Sequence, residues 1–284
     1  MSALLPATQP TMIAALRDAG SAVDDSPLDG PVGLALLVMV VLVAAARGIN
    51  RLREGRAVAR ALRQAVRLLL YLWPVGLLTV IYPTASRRMA GHEVGGVQLT
   101  TFLLAVALTV PWLSQGVCLP LYRALGPVAI SGNDETVRRR FVSVWPTSFV
   151  QTLPVLMVFI VPLVVAMHWS PTALGAYALL VSLDVAFAQS LVLTNIRHSH
   201  VGWALAWTAY AAAVLTVPWA WYLPPLLALV TQLMPLRRHL RTRPAWLSGR
   251  DTAVDVLRGL LLGSILWADK LFYFVKSGSR FPVV

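Results

Sequence analysis

Residues 172–196 read TALGAYALLVSLDVAFAQSLVLTNI, a long apolar run in which Asp184 is the one charged side chain. An α-helix rises about 1.5 Å per residue, so about 20 such residues cross the hydrocarbon core of a bilayer. The stretch therefore predicts a transmembrane helix, and it predicts that lipid rather than water surrounds much of the fold.

The composition of the whole chain supports the same prediction. Hydrophobic residues make up 57% of the 284 residues, charged residues make up 13%, and the mean hydropathy is +0.70. Soluble domains carry about 25% charged residues, so this chain has too little polar surface to cover a globule in water. We therefore expect an integral membrane protein.

Eight apolar runs follow one another along the chain. They lie at 31–46, 68–82, 97–121, 141–167, 172–196, 201–219, 223–236 and 256–275. The first, second and seventh are shorter than the usual lower limit of about 17 residues for a span. The pattern predicts an all-α, polytopic transmembrane helix bundle of about eight spans over 31–284, preceded by a flexible external tail over 1–30.

The distribution of positive charge predicts an orientation in the membrane. With the N-terminus outside, the inner loops hold 17 arginines, whereas the outer segments hold five arginines and lysines. Positively charged residues concentrate on the cytoplasmic side of membrane proteins. We therefore expect a multi-pass protein of the plasma (inner) membrane with both termini outside. No basic domain stands apart from the spans, which argues against nucleic acid as a partner despite the net charge of +12.

The loop 47–67 is the most basic part of the chain. Its arginines recur at near-helical spacing and are Arg47, Arg51, Arg53, Arg56, Arg60, Arg63 and Arg67. Apolar residues alternate with them, as in a helix that lies on a membrane surface. We predict such an amphipathic helix, in which the arginines bind lipid headgroups. Contact with an anionic substrate remains the alternative.

Polar and charged residues inside spans are the candidate functional residues, because charge is costly at membrane depth. Asp184, with Gln189 nearby, could carry a coupling proton or cation or could accept a hydrogen bond from a sugar hydroxyl. The alternative is an aspartate that fixes helix packing. Asp269 and Lys270 are adjacent, so on a helix they project about 100° apart and are expected to point toward other helices or water.

The last span also carries charge near its start. Asp255 and Arg258 stand three positions apart, a spacing that predicts a local ion pair on the helix surface. The alternative interpretation of Asp269 and Lys270, at the other end of this span, is a charged pair anchored at the membrane interface beside Trp267 and Tyr273.

Sequence motifs for catalysis are absent from the chain. No phosphate-binding glycine loop, HExxH or GxSxG sequence occurs, and no segment between spans is long enough for a soluble catalytic domain. The five histidines lie at span edges or in loops, without the spacing of a metal site. We predict a protein that is not an enzyme, with no catalytic residues, no cofactor and no metal site.

Three stretches resemble a known family of membrane proteins. They are 69–77 (LLYLWPVGL), 180–197 with Asp184 and a terminal Asn-Ile-Arg, and 259–274 (GLLLGSILWADKLFYF). In order and direction they resemble the N-terminal half of the multidrug/oligosaccharidyl-lipid/polysaccharide flippase superfamily, especially PelG-type exopolysaccharide exporters. The third stretch, with its Trp-x-Asp-Lys sequence, is the most specific of the three.

This resemblance implies one lobe of a flippase, preceded by an extra helix at 31–46. Members of that superfamily alternate access between two lobes, move lipid-linked or polymeric sugar, and carry no ATPase of their own. On this basis Asp269 and Lys270 would face the cavity between the lobes. The sequence ends just after the helix that would open the second lobe, so we expect a second transporter lobe or a homo-oligomer as partner.

Three functions are compatible with these observations. The first is a transport protein in a polysaccharide or lipid-linked sugar export system, with membrane lipids and the sugar as its small-molecule partners. The second is a non-catalytic scaffold subunit of an envelope-synthesis complex. The third is a membrane enzyme acting on lipid-linked substrates, which would need two or more polar groups at one interface, whereas Asp184 and Asp269 are predicted at different depths.

Overall fold

A computed structural model describes residues 57–130 and 132–277, with side chains from residue 64 onward. Its α-helices are α1 (Ala57–Met89), α2 (Leu99–Val117), α3 (Leu119–Ile130), α4 (Asp134–Thr152), α5 (Leu156–Val165), α6 (Pro171–Ile196), α7 (His200–Thr216), α8 (Leu223–Leu233) and α9 (Gly249–Lys276). A 3₁₀ turn, Leu153–Val155, joins α4 to α5, and a second, Met234–Leu236, follows α8. The predicted all-α class is confirmed for this part of the chain.

Four helical segments of the described residues are long and apolar enough to cross a membrane. They are Gln64–Met89, Leu99–Val117, Asp134–Val165 and Pro171–Ile196. These segments cover most of the predicted spans 68–82, 97–121, 141–167 and 172–196, and they are compatible with a membrane location. The helical segment Leu223–Leu236 is apolar but shorter. The predicted span 31–46 and the tail 1–30 lie outside the described residues.

Helix α1 joins two regions that the sequence analysis separated. It runs from Ala57 through Pro74 and Pro83 to Met89 as one helix. A helix over 57–67 is therefore confirmed, and it is continuous with the helix of the following predicted span; its position on a membrane surface stays a prediction. No glycine or proline stands between residues 57 and 73, so nothing in the backbone ends the helix there. Arg60 and Arg63 belong to its first turns, and Arg47, Arg51, Arg53 and Arg56 lie outside the described residues.

Helix α6 is the buried centre of the bundle. Its residues Tyr177, Leu180 and Val181 are at most 1% exposed and pack in one apolar core with Phe102 of α2 and Phe159 of α5. The Tyr177 hydroxyl lies 2.6 Å from Oγ1 of Thr109, which satisfies the one polar group of that side chain. A helix that is apolar on all sides is expected in such a central position.

Helices α2 and α9 meet at a stripe of small residues. A Cβ atom built on Gly259 would lie 2.1 Å from the carbonyl oxygen of Gln115 and 2.5 Å from Cα of Gly116. One turn further on, a Cβ on Gly263 would lie 2.6 Å from the Trp112 ring. The backbones therefore approach as closely as small residues allow in membrane helix pairs. The indole Nε1 of Trp112 donates to the Leu260 carbonyl at 3.0 Å across the same contact.

A short β-hairpin with two-residue strands connects α1 to α2, where no strand was predicted. Glu93–Val94 pairs with Val97–Gln98 in antiparallel register through Gly95 and Gly96, whose φ angles are +60° and +85°. Two consecutive positive φ angles are typical of a tight hairpin turn that glycine adopts without strain. The hairpin rests on the start of α6, because Oγ of Ser170 donates to the Gly95 carbonyl at 2.5 Å.

We expect Gly95→Ala to destabilise the protein more than Gly96→Ala. Both changes place a side chain at positive φ, at a cost of about 1 kcal/mol. At Gly95 the new Cβ would also lie 2.5 Å from the backbone nitrogen of Ala173, whereas Gly96 faces open space. The extra clash adds about 1–3 kcal/mol to the loss for Gly95→Ala. Thermal unfolding of the purified protein in detergent measures the difference, and equal midpoints for the two variants would contradict this packing.

Candidate functional site

Asp184 lies midway along α6 and is 7% exposed. Its carboxylate makes no hydrogen bond or ion pair with another residue that the structure describes. The nearby hydroxyl of Ser182 does not donate a hydrogen bond to this carboxylate, because it donates to the Ala178 carbonyl at 2.6 Å within the same helix. A buried carboxylate without a partner is costly, so Asp184 is the strongest functional candidate in the described chain.

Two tyrosines from other helices lie in the same part of the bundle as Asp184. Tyr82 of α1 and Tyr210 of α7 both lie within electrostatic range of Asp184. Their hydroxyl oxygens are 3.4 Å apart, so the two side chains meet across the α1–α7 contact. Three helices thus bring oxygen-bearing side chains to one place inside the bundle.

Aromatic rings extend from this place along α7. Trp203, Trp207 and Tyr210 stand four and three positions apart and share one face of the helix. The ring centroids of Trp203 and Trp207 are 6.2 Å apart, and those of Trp207 and Tyr210 are 5.5 Å apart. Tyr71 of α1 stacks on Trp203 at 5.8 Å, and Phe187, one turn after Asp184, packs 5.1 Å from Trp207. The result is an aromatic row that leads to the carboxylate.

Two indole groups of this row have buried donors without a protein partner. Nε1 of Trp203 and Nε1 of Trp207 are buried and form no hydrogen bond within the described structure. Trp73 differs, because its Nε1 donates to Oγ1 of Thr208 at 3.1 Å. A buried, unpaired donor costs about 1–3 kcal/mol, so a ligand that supplies acceptors would be stabilised here. We call Asp184, Tyr82, Tyr210, Trp203 and Trp207 the Asp184 site.

Gln189 belongs to a different contact from Asp184. It is fully buried, and its Nε2 donates to the Val117 carbonyl at 3.0 Å and to Oγ1 of Thr152 at 3.3 Å. These partners lie at the ends of α2 and α4, on another side of α6 from the tyrosines. The side chain therefore pairs the free carbonyl at the end of one helix, which is a packing role. The structure does not bring Gln189 into the Asp184 site.

Asp269 and Lys270 lie on an exposed face of α9, with side chains 76% and 45% exposed. Both side chains point toward water, as one of the predicted alternatives has it, and Nζ of Lys270 lies 3.4 Å from the Asp269 carboxylate, as in the alternative of a charged pair. The long lysine side chain bends back over one turn, donating to the Leu266 carbonyl at 2.6 Å and lying 5.4 Å from the Trp267 ring. Neither residue contacts the Asp184 site.

Asp255 pairs across helices rather than within α9. Its carboxylate lies 2.9 Å from Nη1 of Arg123 in α3, and Asp251 lies 2.9 Å from Nη2 of the same guanidinium. The predicted local pair with Arg258 is therefore wrong. The two carboxylates stand one helical turn apart, a spacing that the planar fork of arginine can bridge.

The sequence analysis missed an ion-pair network at the predicted inner end of the bundle. Asp134, at the start of α4, pairs with Arg197 at the end of α6. It also pairs with Arg138, one turn further along α4, at a distance of 3.2 Å. Glu135 pairs with Arg139 at 3.2 Å and with Nε2 of His239 at 3.4 Å. The detectable signal was local, since acidic residues and a capping asparagine commonly begin a helix. Their distant partners were not visible in the pattern.

Comparisons of the chain with protein-family models, with curated proteins and with solved structures find no match. The flippase resemblance therefore depends on its three short stretches alone. The candidate residues of the second and third stretches lie at two separate places in the fold. Asp184 of the second lies in the buried site, whereas Asp269 and Lys270 of the third lie on an exposed helix face.

Proposed function

We propose that this chain is a membrane transport protein that binds the sugar part of a polysaccharide or lipid-linked saccharide at the Asp184 site. One observation carries the proposal: a buried carboxylate without a partner lies within electrostatic range of two tyrosine hydroxyls and on the same helix as Phe187, which packs against a row of aromatic rings. Charged residues inside membrane bundles typically mark substrate or ion pathways. In the proposed role the chain acts in the plasma (inner) membrane together with a second lobe or partner chain.

The donors and acceptors of the site suit a polyhydroxyl ligand better than a bare cation. The carboxylate of Asp184 accepts hydrogen bonds, whereas the indole groups of Trp203 and Trp207 only donate them. A sugar hydroxyl both donates and accepts, so neighbouring hydroxyls could satisfy both kinds of group. A cation would satisfy the carboxylate but would leave the indole N–H groups unpaired. Flat aromatic rings also offer apolar surface to the C–H faces of a sugar ring.

Helix α1, which carries Tyr82, has prolines that suit bending during transport. Pro74 and Pro83 lie within α1, on either side of the turn that leads to Tyr82. Each proline removes one backbone hydrogen bond and weakens the helix locally. Movement of α1 against α6 would change the separation of Tyr82 from Asp184.

A scaffold subunit is the second candidate function, and the exposed face of α9 favours it. Leu261, Ile265 and Phe272 on this face are 61%, 79% and 69% exposed, next to the charged pair Asp269 and Lys270. Apolar surface interrupted by charge fits a protein partner as well as lipid. A membrane enzyme receives less support, because Asp184 and Asp269 do not lie at one site.

Deletion of the gene in the source organism tests the proposed function. We expect less polysaccharide outside the cell and an accumulation of lipid-linked sugar in the membrane, because synthesis continues while movement stops. Carbohydrate analysis of the medium and of extracted lipids measures both pools. Re-expression of the intact chain serves as the control.

The same measurement separates transport from scaffolding. Loss of a scaffold would lower the lipid-linked pool together with the exported polymer, since the synthesis complex would fail. That result would favour the scaffold, and two unchanged pools would exclude both functions.

A further inference from the structure

A cleft of about 660 Å³ opens where α4 begins and α8 ends. One side is basic and carries Arg138, Arg237, Arg238 and His239 together with Glu135. The other side is formed by the last turn of α8 and the 3₁₀ turn that follows it, namely by Val230, Thr231, Met234 and Pro235. We call this feature the basic cleft; none of its residues belongs to the Asp184 site.

The acidic groups around the basic cleft are already paired with other residues. Glu135 binds His239 and Arg139, and Asp134 binds Arg197 and Arg138. Arg237 and Arg238 are exposed, and neither forms an ion pair with a carboxylate among the described residues. The cleft therefore presents two uncompensated guanidinium groups.

Arg138 also lines the cleft. Its Nη2 lies 3.2 Å from Asp134, but its Nε is buried and has no hydrogen-bond partner in the described structure. A guanidinium fork donates most strongly to carboxylate and phosphate oxygens. The combination of Arg237 and Arg238 with Arg138 in the lining indicates an anionic group with several acceptor oxygens.

The apolar side of the cleft continues along the surface of α8. Leu227, Val230 and Met234 recur at helical spacing and are 39%, 49% and 64% exposed. In a membrane this stripe would face hydrocarbon chains, and it leads directly to the arginines. A soluble phosphate compound would use only the basic side, whereas a phospholipid would use both.

We infer that the basic cleft binds an anionic phospholipid, with the headgroup phosphate on Arg237, Arg238 and Arg138 and an acyl chain along α8. Basic pockets between helices near the cytoplasmic surface are suited to such headgroups. This lipid site is separate from sugar binding and does not depend on the proposed transport function. Its residues also differ from the arginines of 47–67, for which lipid contact was predicted.

Native mass spectrometry of the full chain with phosphatidylglycerol and phosphatidylcholine tests the inference. We expect preferential binding of phosphatidylglycerol to the intact protein. Replacing both arginines, in R237A/R238A, should weaken that binding by about 10- to 30-fold. Each basic residue near an anionic membrane surface contributes roughly a three- to sixfold gain in affinity, and the two contributions multiply. The matched control is R87A/R88A, an adjacent arginine pair at the far end of α1, which should bind as the intact protein does.

Two further measurements identify the source of the phosphate. Met234→Gln keeps the arginines but makes the apolar wall polar, so it should weaken binding of phosphatidylglycerol without reducing thermal stability. Inorganic pyrophosphate at millimolar concentration should not displace the lipid. Equal binding of the two lipids, or equal effects of the two double-arginine variants, would overturn the inference. Full displacement by pyrophosphate with an unchanged Met234→Gln variant would assign the cleft to a soluble anion instead.

Discussion

Gly259→Ala is expected to lower the free energy of unfolding by about 3 kcal/mol, the upper range for overpacking a tight interface. The added Cβ would lie 2.1 Å from the Gln115 carbonyl oxygen and 2.5 Å from Cα of Gly116. Both neighbours are backbone atoms of α2, so no side-chain rotation relieves the contact. The helices would have to separate, and the hydrogen bond from Trp112 to Leu260 would stretch.

Thermal unfolding in detergent measures this effect, with an expected fall in midpoint of roughly 6–12 °C. Gly175→Ala in α6 is the matched control, because a Cβ there meets no atom within 4 Å. Alanine favours a helix over glycine by up to about 1 kcal/mol, so the control should be neutral or more stable.

Gly116→Ala adds an intermediate case to this series. Its Cβ would lie 2.9 Å from the Val256 carbonyl oxygen and 3.0 Å from Cγ of Leu260. We expect a loss of stability smaller than for Gly259→Ala. Indistinguishable midpoints for the Gly259 and Gly175 variants would show that α2 and α9 do not pack as described.

Asp184→Asn is expected to reduce export by about tenfold or more, which corresponds to at least about 1.4 kcal/mol in the transport step. The substitution keeps the shape of the side chain and removes its charge. If the carboxylate binds substrate or carries a coupling ion, activity falls while stability is unchanged or rises, because a buried charge is costly to fold. Asp184→Ala should reduce export at least as much.

Complementation of the deletion strain, with protein levels checked in membranes, measures export by these variants. Asp269→Asn and Lys270→Ala serve as comparison, since both side chains are exposed and lie away from the Asp184 site. We expect them to retain more export than Asp184→Asn does.

The comparison also has outcomes against the proposal. Loss of stability without a specific loss of export in Asp184→Asn would make Asp184 a packing residue. Loss of export in the Asp269 and Lys270 variants, with Asp184→Asn active, would move the candidate site to the face of α9.

Local sequence patterns were sufficient to predict most of the helices. The run 172–196 agrees with α6 within one residue, and 201–219 and 256–275 agree with α7 and α9 apart from their ends. Apolar content and helical spacing are properties of neighbouring residues, so they can be recognised without knowledge of the fold. The hairpin at 93–98 was not predicted, because its strands are too short for an alternating pattern.

The sequence by itself also singled out Asp184, because a lone carboxylate within an apolar run is unusual wherever the helix packs. Only the tertiary structure decided which groups surround it. Tyr82 comes from α1, far from Asp184 along the chain, and Tyr210 comes from α7, which follows α6, and no local pattern indicated that the two hydroxyls meet. The same holds for Arg123 with Asp255, and for Gln189, which was predicted as a polar neighbour of Asp184 and pairs elsewhere.

Helix formation in this protein thus depends on residues a few positions apart, whereas partner choice depends on how the helices cross. The α2–α9 crossing illustrates the difference, since Gly116 and Gly259 each looked unremarkable in sequence and together set the separation of two helices. Local propensity and apolar content determined that these segments are helices. Close packing of particular backbones decided where the charged and aromatic side chains would meet.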